Sequence, residues 1–135
     1  LSEKGIYILK SSSCYETLSW PDSNMPKYIN IVLKIKTRLN PSNLMKICKK
    51  IEISLGRKKA PKNSPRECDI DILDFDQKTR NNGICLPHPR MHNRNFVLFP
   101  LFEINKNWKH PRLKHHIKTL ILSLSKKDIT SIKQI

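Results

Sequence analysis

Between residues 28 and 56 the spacing of apolar side chains changes from two to about 3.6, and a chain built this way must lay a helix on a sheet. In 28–37, Ile29, Ile31, Leu33 and Ile35 alternate with Asn30, Lys34 and Lys36, the pattern of a half-buried strand. Asn40 and Pro41 then supply an N-cap and a first helical residue. Leu44, Ile47, Cys48, Ile51 and Leu55 recur at helical spacing, and Gly56 ends the run. Before this unit, 6–17 has strand character and 18–27 is a polar loop. After it come a basic loop (57–64), a strand (67–75), a turn (76–82) and a short strand (84–86) closed by Pro87. Residues 91–102 open with a helical turn that Pro100 interrupts, 108–111 form a loop, 113–124 have helical spacing, and 129–135 suit a short edge strand. This order predicts the α+β class, with helices over an antiparallel sheet.

At 135 residues the chain suits a single domain, 1–135, and its 38% apolar and 27% charged content is that of a folded globular protein. No apolar run approaches the roughly 20 residues of a spanning helix. The sequence opens at Leu1 as though in mid-element, so further residues are expected upstream. The four cysteines lack tight spacing and are expected to be reduced and mostly buried, consistent with a cytoplasmic setting. The net charge of +15 raises nucleic acid, anionic membrane and phosphate-bearing small molecules as partners. Most of the basic residues are scattered lysines, however, which points to a solvated surface.

The chemistry concentrates in two segments. In Pro65-Arg66-Glu67-Cys68-Asp69-Ile70-Asp71-Ile72, a strand sets Asp69 and Asp71 on one face, their Cα atoms about 6–7 Å apart, with Ile70 and Ile72 on the other. Paired carboxylates repel unless a cation sits between them, and hard oxygens beside substrate phosphates suit magnesium. An isolated Asp-x-Asp is more often two solvated acids. Arg66 and the cations Arg57, Lys58, Lys59 and Lys62, on a loop placed to close over polyphosphate, favour the metal. In the second segment, 86–101, Pro87 and Pro89 restrain His88, and Arg94 suits phosphate. A zinc reading through Cys85, His88 and His92 lacks a fourth ligand nearby, and the prolines oppose the helix it needs. His110, His115 and His116 are expected at the surface.

In this order and spacing, Arg66 with Asp69-Ile70-Asp71-Ile72 and then Leu86-Pro87-His88-Pro89 resembles the hydroxymethyl-dihydropterin pyrophosphokinases of folate biosynthesis. The likeness extends back through Glu52-x-x-x-Gly56-Arg57 and Tyr28-Ile29-Asn30 to Ser13-Cys14-Tyr15-Glu16-Thr17. The family's opening strand and Gly-Ser-Asn turn would lie before Leu1. The resemblance implies a ferredoxin-like antiparallel sheet with helices on one face, acting as a monomer on small molecules, with no nucleic acid or membrane partner. It implies transfer of the β,γ-pyrophosphoryl group of ATP to the pterin hydroxymethyl oxygen, with release of AMP. Asp69 and Asp71 would hold two Mg2+ ions. Glu52, Ile72, His88 and Arg94 correspond to ATP positions, and Arg57, Lys59, Lys62 and Arg66 to the cations that serve transfer. Tyr28 and Phe96 would stack on the pterin, with Asn30 and the Thr17 and Leu18 backbone at its polar edge. The chain departs from the pattern at Asn63, where Trp is frequent, at Lys59 and Lys62, where Arg is common, and at Gly83, which replaces a frequent basic residue. The alternatives are a basic RNA-binding α+β module and a relative that keeps the fold without turnover.

Overall fold

A computed structural model of the chain describes residues 4–17, 27–56 and 68–135. Among the described residues, two antiparallel sheets carry the strands. β1 (Ile6–Ser11) pairs with β4 (Leu33–Thr37), from Ile6 opposite Thr37 to Ser11 opposite Leu33, with an irregularity between Ile8 and Lys10. The second sheet has the order β3 (Tyr28–Asn30), β2 (Tyr15–Thr17), β5 (Lys133–Gln134). The strands expected over 6–17 and 28–37 are therefore each broken, and at the same level. Ser12 explains the break. Its N–H donates to the Val32 carbonyl and its Oγ accepts the Val32 N–H, both at 2.9 Å, so a side chain replaces one rung of the ladder.

α1 (Pro41–Ser54) forms as its sequence dictates: Asn40 Oδ1 accepts the Asn43 N–H at 2.8 Å, and Pro41 stands at the start, where it forfeits no helical bond. Leu44, Cys48 and Glu52, spaced by four, form its buried stripe. Gly56 follows at φ 104, a left-handed conformation that glycine adopts without strain. α1 closes one core cluster with Ile6, Ile72 and Leu86, bordered by Ile35, Ile70 and Phe75. The described part of the expected 67–75 strand, from Cys68 on, joins no ladder. Its backbone bonds go elsewhere: Ile70 N–H to a side chain, and the Leu73 carbonyl to His88 N–H at 2.8 Å. The expected 84–86 strand reduces to a bridge between Leu86 and Arg80, across a turn in which Gly83 sits at φ 70. A basic side chain there would be strained, which accounts for glycine at that place.

A 3-10 turn at Met91–Asn93 leads into α2 (Asn95–Ile104), which continues through Pro100 instead of stopping. The ring removes one helical N–H donor, but Val97, Leu98 and Leu101 are buried on either side of it, and that burial outweighs the lost bond. α2 packs against β2, β3 and α3 (Ile117–Leu122) around the second cluster, which includes Val32, Met91, Leu98, Trp108 and Ile117. The helix expected from 113 begins only at Ile117. Before it, His110 and His115 close a tight turn (His110 N–H to His115 carbonyl, 2.9 Å), and His116 Nδ1 caps the helix by accepting the Lys118 N–H. A further short helix, α4 (Lys126–Thr130), follows Ser125, whose Oγ accepts the Asp128 N–H. A Ser-x-x-Asp cap starts it without the apolar run that marks longer helices, so the sequence pattern predicts no helix there. Antiparallel sheets carrying helices place the chain in the α+β class, as expected. Among the described residues, no helix is long and apolar enough to cross a membrane.

Candidate active site

Asp69 and Asp71 are exposed, while Ile72 is buried in the α1 cluster and Ile70 borders it. The alternation expected of a strand thus survives without a ladder. Burial of the isoleucines, not sheet hydrogen bonding, turns the two carboxylates outward. The Ile70 N–H, lying between them, donates to Glu52 Oε1 at 3.0 Å. Glu52 is 1% exposed, and Lys49 Nζ stands 3.7 Å from its other oxygen. Glu52 therefore ties α1 to the carboxylate segment, a role its spacing in the sequence does not announce.

His88 reaches the same neighbourhood from the Pro-flanked segment. Its backbone N–H is bonded to Leu73, and its Nδ1 accepts the Arg90 N–H at 3.1 Å, which leaves Nε2 as the proton-bearing nitrogen of the neutral ring. Burial lowers its pKa from the ordinary 6.5; the Asp71 charge opposes that shift, and Arg94 and Arg90 add to it. His88 therefore lies within electrostatic range of both Asp71 and Arg94. The Arg94 guanidinium sits over the Phe96 ring, 5.3 Å from its centroid. Among the expected ATP positions, Ile72 is a core residue with only 9% of its surface exposed.

Tyr28 and Asn30 lie on β3, opposite Thr17 and Tyr15 of β2. Tyr28 is exposed and Thr17 buried, and Phe96 sits half-buried near the start of α2, which packs on both strands. β2 and β3 thus set Tyr28, Asn30 and Thr17 together, and α2, which packs on both strands, carries Phe96. The structure gathers Asp69, Asp71, Glu52 and His88 beside α1. Leu18, Arg57, Lys59, Lys62 and Arg66 lie outside the described residues.

Several participants escaped the sequence. His110, expected at the surface, is buried at 3% exposure, its Nδ1 accepting the Arg112 and Leu113 N–H groups at 3.2 and 3.0 Å. With Asn81, Cys85, His88, His92 and Arg112 it lines a cleft of about 200 Å³. Trp108 Nε1 donates to Asp74 Oδ2 at 3.2 Å, tying the chain after α2 to the carboxylate segment. Glu103 on α2 holds Ser13 and Tyr15; the one acid in an apolar helix was the available signal. All four cysteines are free thiols, but Cys14 and Cys85 are exposed and only Cys48 is fully buried, because Cys14 and Cys85 fall outside regular elements.

The donor set discriminates between metals. Among the described residues no three His, Cys, Asp or Glu side chains converge on one point, so the zinc alternative through Cys85, His88 and His92 finds no support there. Asp69 and Asp71, both exposed, offer the hard oxygens that suit magnesium, which takes one or two protein carboxylates and completes its shell with phosphate and water.

His110 yields a pH prediction. Burial lowers its pKa from 6.5, and His92 and Arg112 lower it further against the opposing Asp74 charge. His88 shifts the same way. A depressed imidazole pKa means that the unfolded chain binds protons first, so this stability is present above the ordinary value of 6.5 and is lost as pH falls through the folded value. Denaturant midpoints should therefore drop as the pH is lowered from about 7.5 to about 5, across the imidazole range, and less so in His110→Asn.

Residues 1–106 match the family model of 7,8-dihydro-6-hydroxymethylpterin-pyrophosphokinase. The chain belongs to this family. A 2-amino-4-hydroxy-6-hydroxymethyldihydropteridine pyrophosphokinase of Aquifex aeolicus is 40% identical over 117 residues, covering 86% of this chain and 73% of that protein. The enzyme of the same name from Methylorubrum extorquens is 33% identical over 132 residues, covering 97% and 80%. The folic acid synthesis protein fol1 of Pneumocystis carinii is 38% identical over 112 residues, 82% of this chain but only 15% of that longer protein.

Proposed function

We propose that this pyrophosphokinase-family chain transfers the β,γ-pyrophosphoryl group of ATP to the hydroxymethyl oxygen of 6-hydroxymethyl-dihydropterin, releasing AMP. The observation that carries the reading is the pair of exposed carboxylates, Asp69 and Asp71, turned outward by buried Ile72 and half-buried Ile70 beside His88, in a chain matched to this family over residues 1–106. In the reaction the pterin hydroxymethyl oxygen bonds to the β-phosphorus and gives up its proton to solvent, the bond from that phosphorus to the α,β-bridging oxygen breaks, and AMP carries that oxygen away. Such a transfer needs positioning and charge neutralisation more than covalent catalysis. Two Mg2+ ions, held by Asp69 and Asp71, would neutralise and orient the triphosphate. Arg57, Lys59, Lys62 and Arg66 supply further positive charge on sequence grounds, with lysines lacking the bidentate geometry of arginine. His88 donates through Nε2 and Arg94 serves the phosphates. Glu52 serves the nucleotide site by holding the carboxylate segment. Tyr28 and Phe96 sandwich the flat heterocycle, while Asn30 and the backbone of Thr17 and Leu18 meet its polar edge. The protein works as a cytoplasmic monomer on small molecules, without nucleic acid or membrane partners.

AMP release from ATP, measured with and without the hydroxymethyl pterin, tests this directly; pterin-independent or absent release overturns it. A companion measurement separates the enzyme from a basic RNA binder. ATP with magnesium should raise the melting temperature, by about 2.7 kcal/mol of added stability at a hundred times its Kd. Single-stranded RNA should bind weakly and steeply less with added salt. RNA stacking wants neighbouring exposed aromatics on one sheet face. Tyr7 and Tyr28 are exposed but stand on different sheets, and Phe75 lies half-buried near a turn under Lys78. Tight, salt-resistant RNA binding would reverse the assignment.

A further inference from the structure

At the level where the strand pairs break, β2 is held to α2 by one carboxylate. Glu103 Oε1 accepts the Tyr15 hydroxyl at 2.7 Å, and Oε2 accepts the Ser13 Oγ hydroxyl at 3.0 Å. The Ser13 backbone N–H is shared between both oxygens at 3.1 and 3.0 Å. These partners lie 90 and 88 residues away along the chain. Glu103 and Phe96 are seven residues apart on α2, two turns along one face. On the other side of the clamp, Tyr15 is paired across the ladder with Asn30, and Tyr28 is two residues from Asn30. The clamp therefore joins the helix carrying Phe96 to the strand that is paired with Tyr28 and Asn30.

We propose that Glu103 is a positioning residue for the pterin, pinning Ser13 and Tyr15 to α2 and so setting the gap between Tyr28 and Asn30 on β3 and Phe96 on α2. This rests on the pterin reading of Tyr28, Asn30 and Phe96 given above and adds to it the element that fixes their spacing. A flat heterocycle between two rings has a single productive gap, and anchoring by three donors on one carboxylate holds that gap better than apolar contact alone. The clamp persists over a wide pH range. The Tyr15 phenol is raised to about 12, first by burial and then by its bond to Glu103. The Glu103 carboxyl is lowered, first by the same bond, so both partners keep the required protonation through neutral pH.

The test compares the full chain with Glu103→Ala, Glu103→Gln and Tyr15→Phe, measuring Kd for 6-hydroxymethyl-dihydropterin and for ATP with magnesium well below each melting temperature. Glu103→Ala should weaken the pterin by about tenfold or more while ATP affinity stays within about twofold, because misplacing one wall of a binding gap costs the ligand that fills it. Glu103→Gln, which keeps an acceptor, should recover part of the loss. Tyr15→Phe removes a single arm of the clamp and should show a smaller, pterin-selective loss even if the alanine variant fails to fold. Unchanged pterin affinity in Glu103→Ala or in Tyr15→Phe, or equal losses for both ligands, overturns the positioning role. Failure of the unsubstituted chain to bind the pterin would instead remove the functional reading on which it rests.

Discussion

Asp71→Asn should lower pyrophosphoryl transfer by about a thousandfold, the scale lost when a preorganised electrostatic contact to a transferring group is removed. The amide keeps the size of the side chain but loses its charge, so the carboxylate pair can no longer offset a divalent cation. Asp71 is exposed, and the segment is held by Ile70, Ile72 and Glu52, so the fold should survive and the melting temperature without ligand should hardly move. A readout independent of turnover is available. ATP should protect the unsubstituted chain against heat in a magnesium-dependent way, and Asp71→Asn should lose the magnesium-dependent part. Near-normal turnover at low magnesium, or full magnesium-dependent protection, would remove Asp71 from the metal site.

The sequence made some of this plain and hid the rest for physical reasons. α1 was legible from its ends inward, because Asn40, Pro41, Gly56 and the 44–48 spacing all act through local backbone chemistry. The outward pair at Asp69 and Asp71 was legible because alternation records burial, and burial survives even where no ladder forms. The broken strands were not legible: Ser12 substitutes a hydroxyl for a backbone rung, and nothing in the local pattern distinguishes that serine from its neighbours Ser11 and Ser13. Pro100 misled because its local cost was visible, while the burial of Val97, Leu98 and Leu101 that overrides it is tertiary. His110 misled likewise, since its place beside an apolar helical run suggested solvent, whereas Arg112 and Leu113 give its ring two internal bonds that permit burial. Of the site, residue types and order were readable; the struts were not, because Glu52 and Glu103 act across 18 to 90 residues of chain.

Glu52 carries the second large expectation, and it separates a strut from a ligand. Its carboxylate is 1% exposed on α1, bonded to the Ile70 N–H and facing Lys49. Removing it leaves the Ile70 N–H without that acceptor and opens a void beside Cys48, one turn earlier in the buried stripe. Glu52→Ala should therefore cost about 3 kcal/mol of stability, the sum of an unsatisfied buried donor and a small cavity. Because Ile70 stands between Asp69 and Asp71, the same change should weaken magnesium-dependent ATP protection even under conditions where the variant is fully folded. Glu52→Gln keeps an oxygen for Ile70 and nearly the same volume. Acting as a strut, Glu52 predicts that the glutamine variant retains most of its stability and nearly normal ATP affinity. Acting through its charge on the nucleotide site, it predicts that glutamine and alanine lose ATP affinity alike while differing in stability. Denaturation midpoints and ATP titrations on the two variants distinguish these outcomes, since only the strut lets the oxygen of glutamine rescue both properties together.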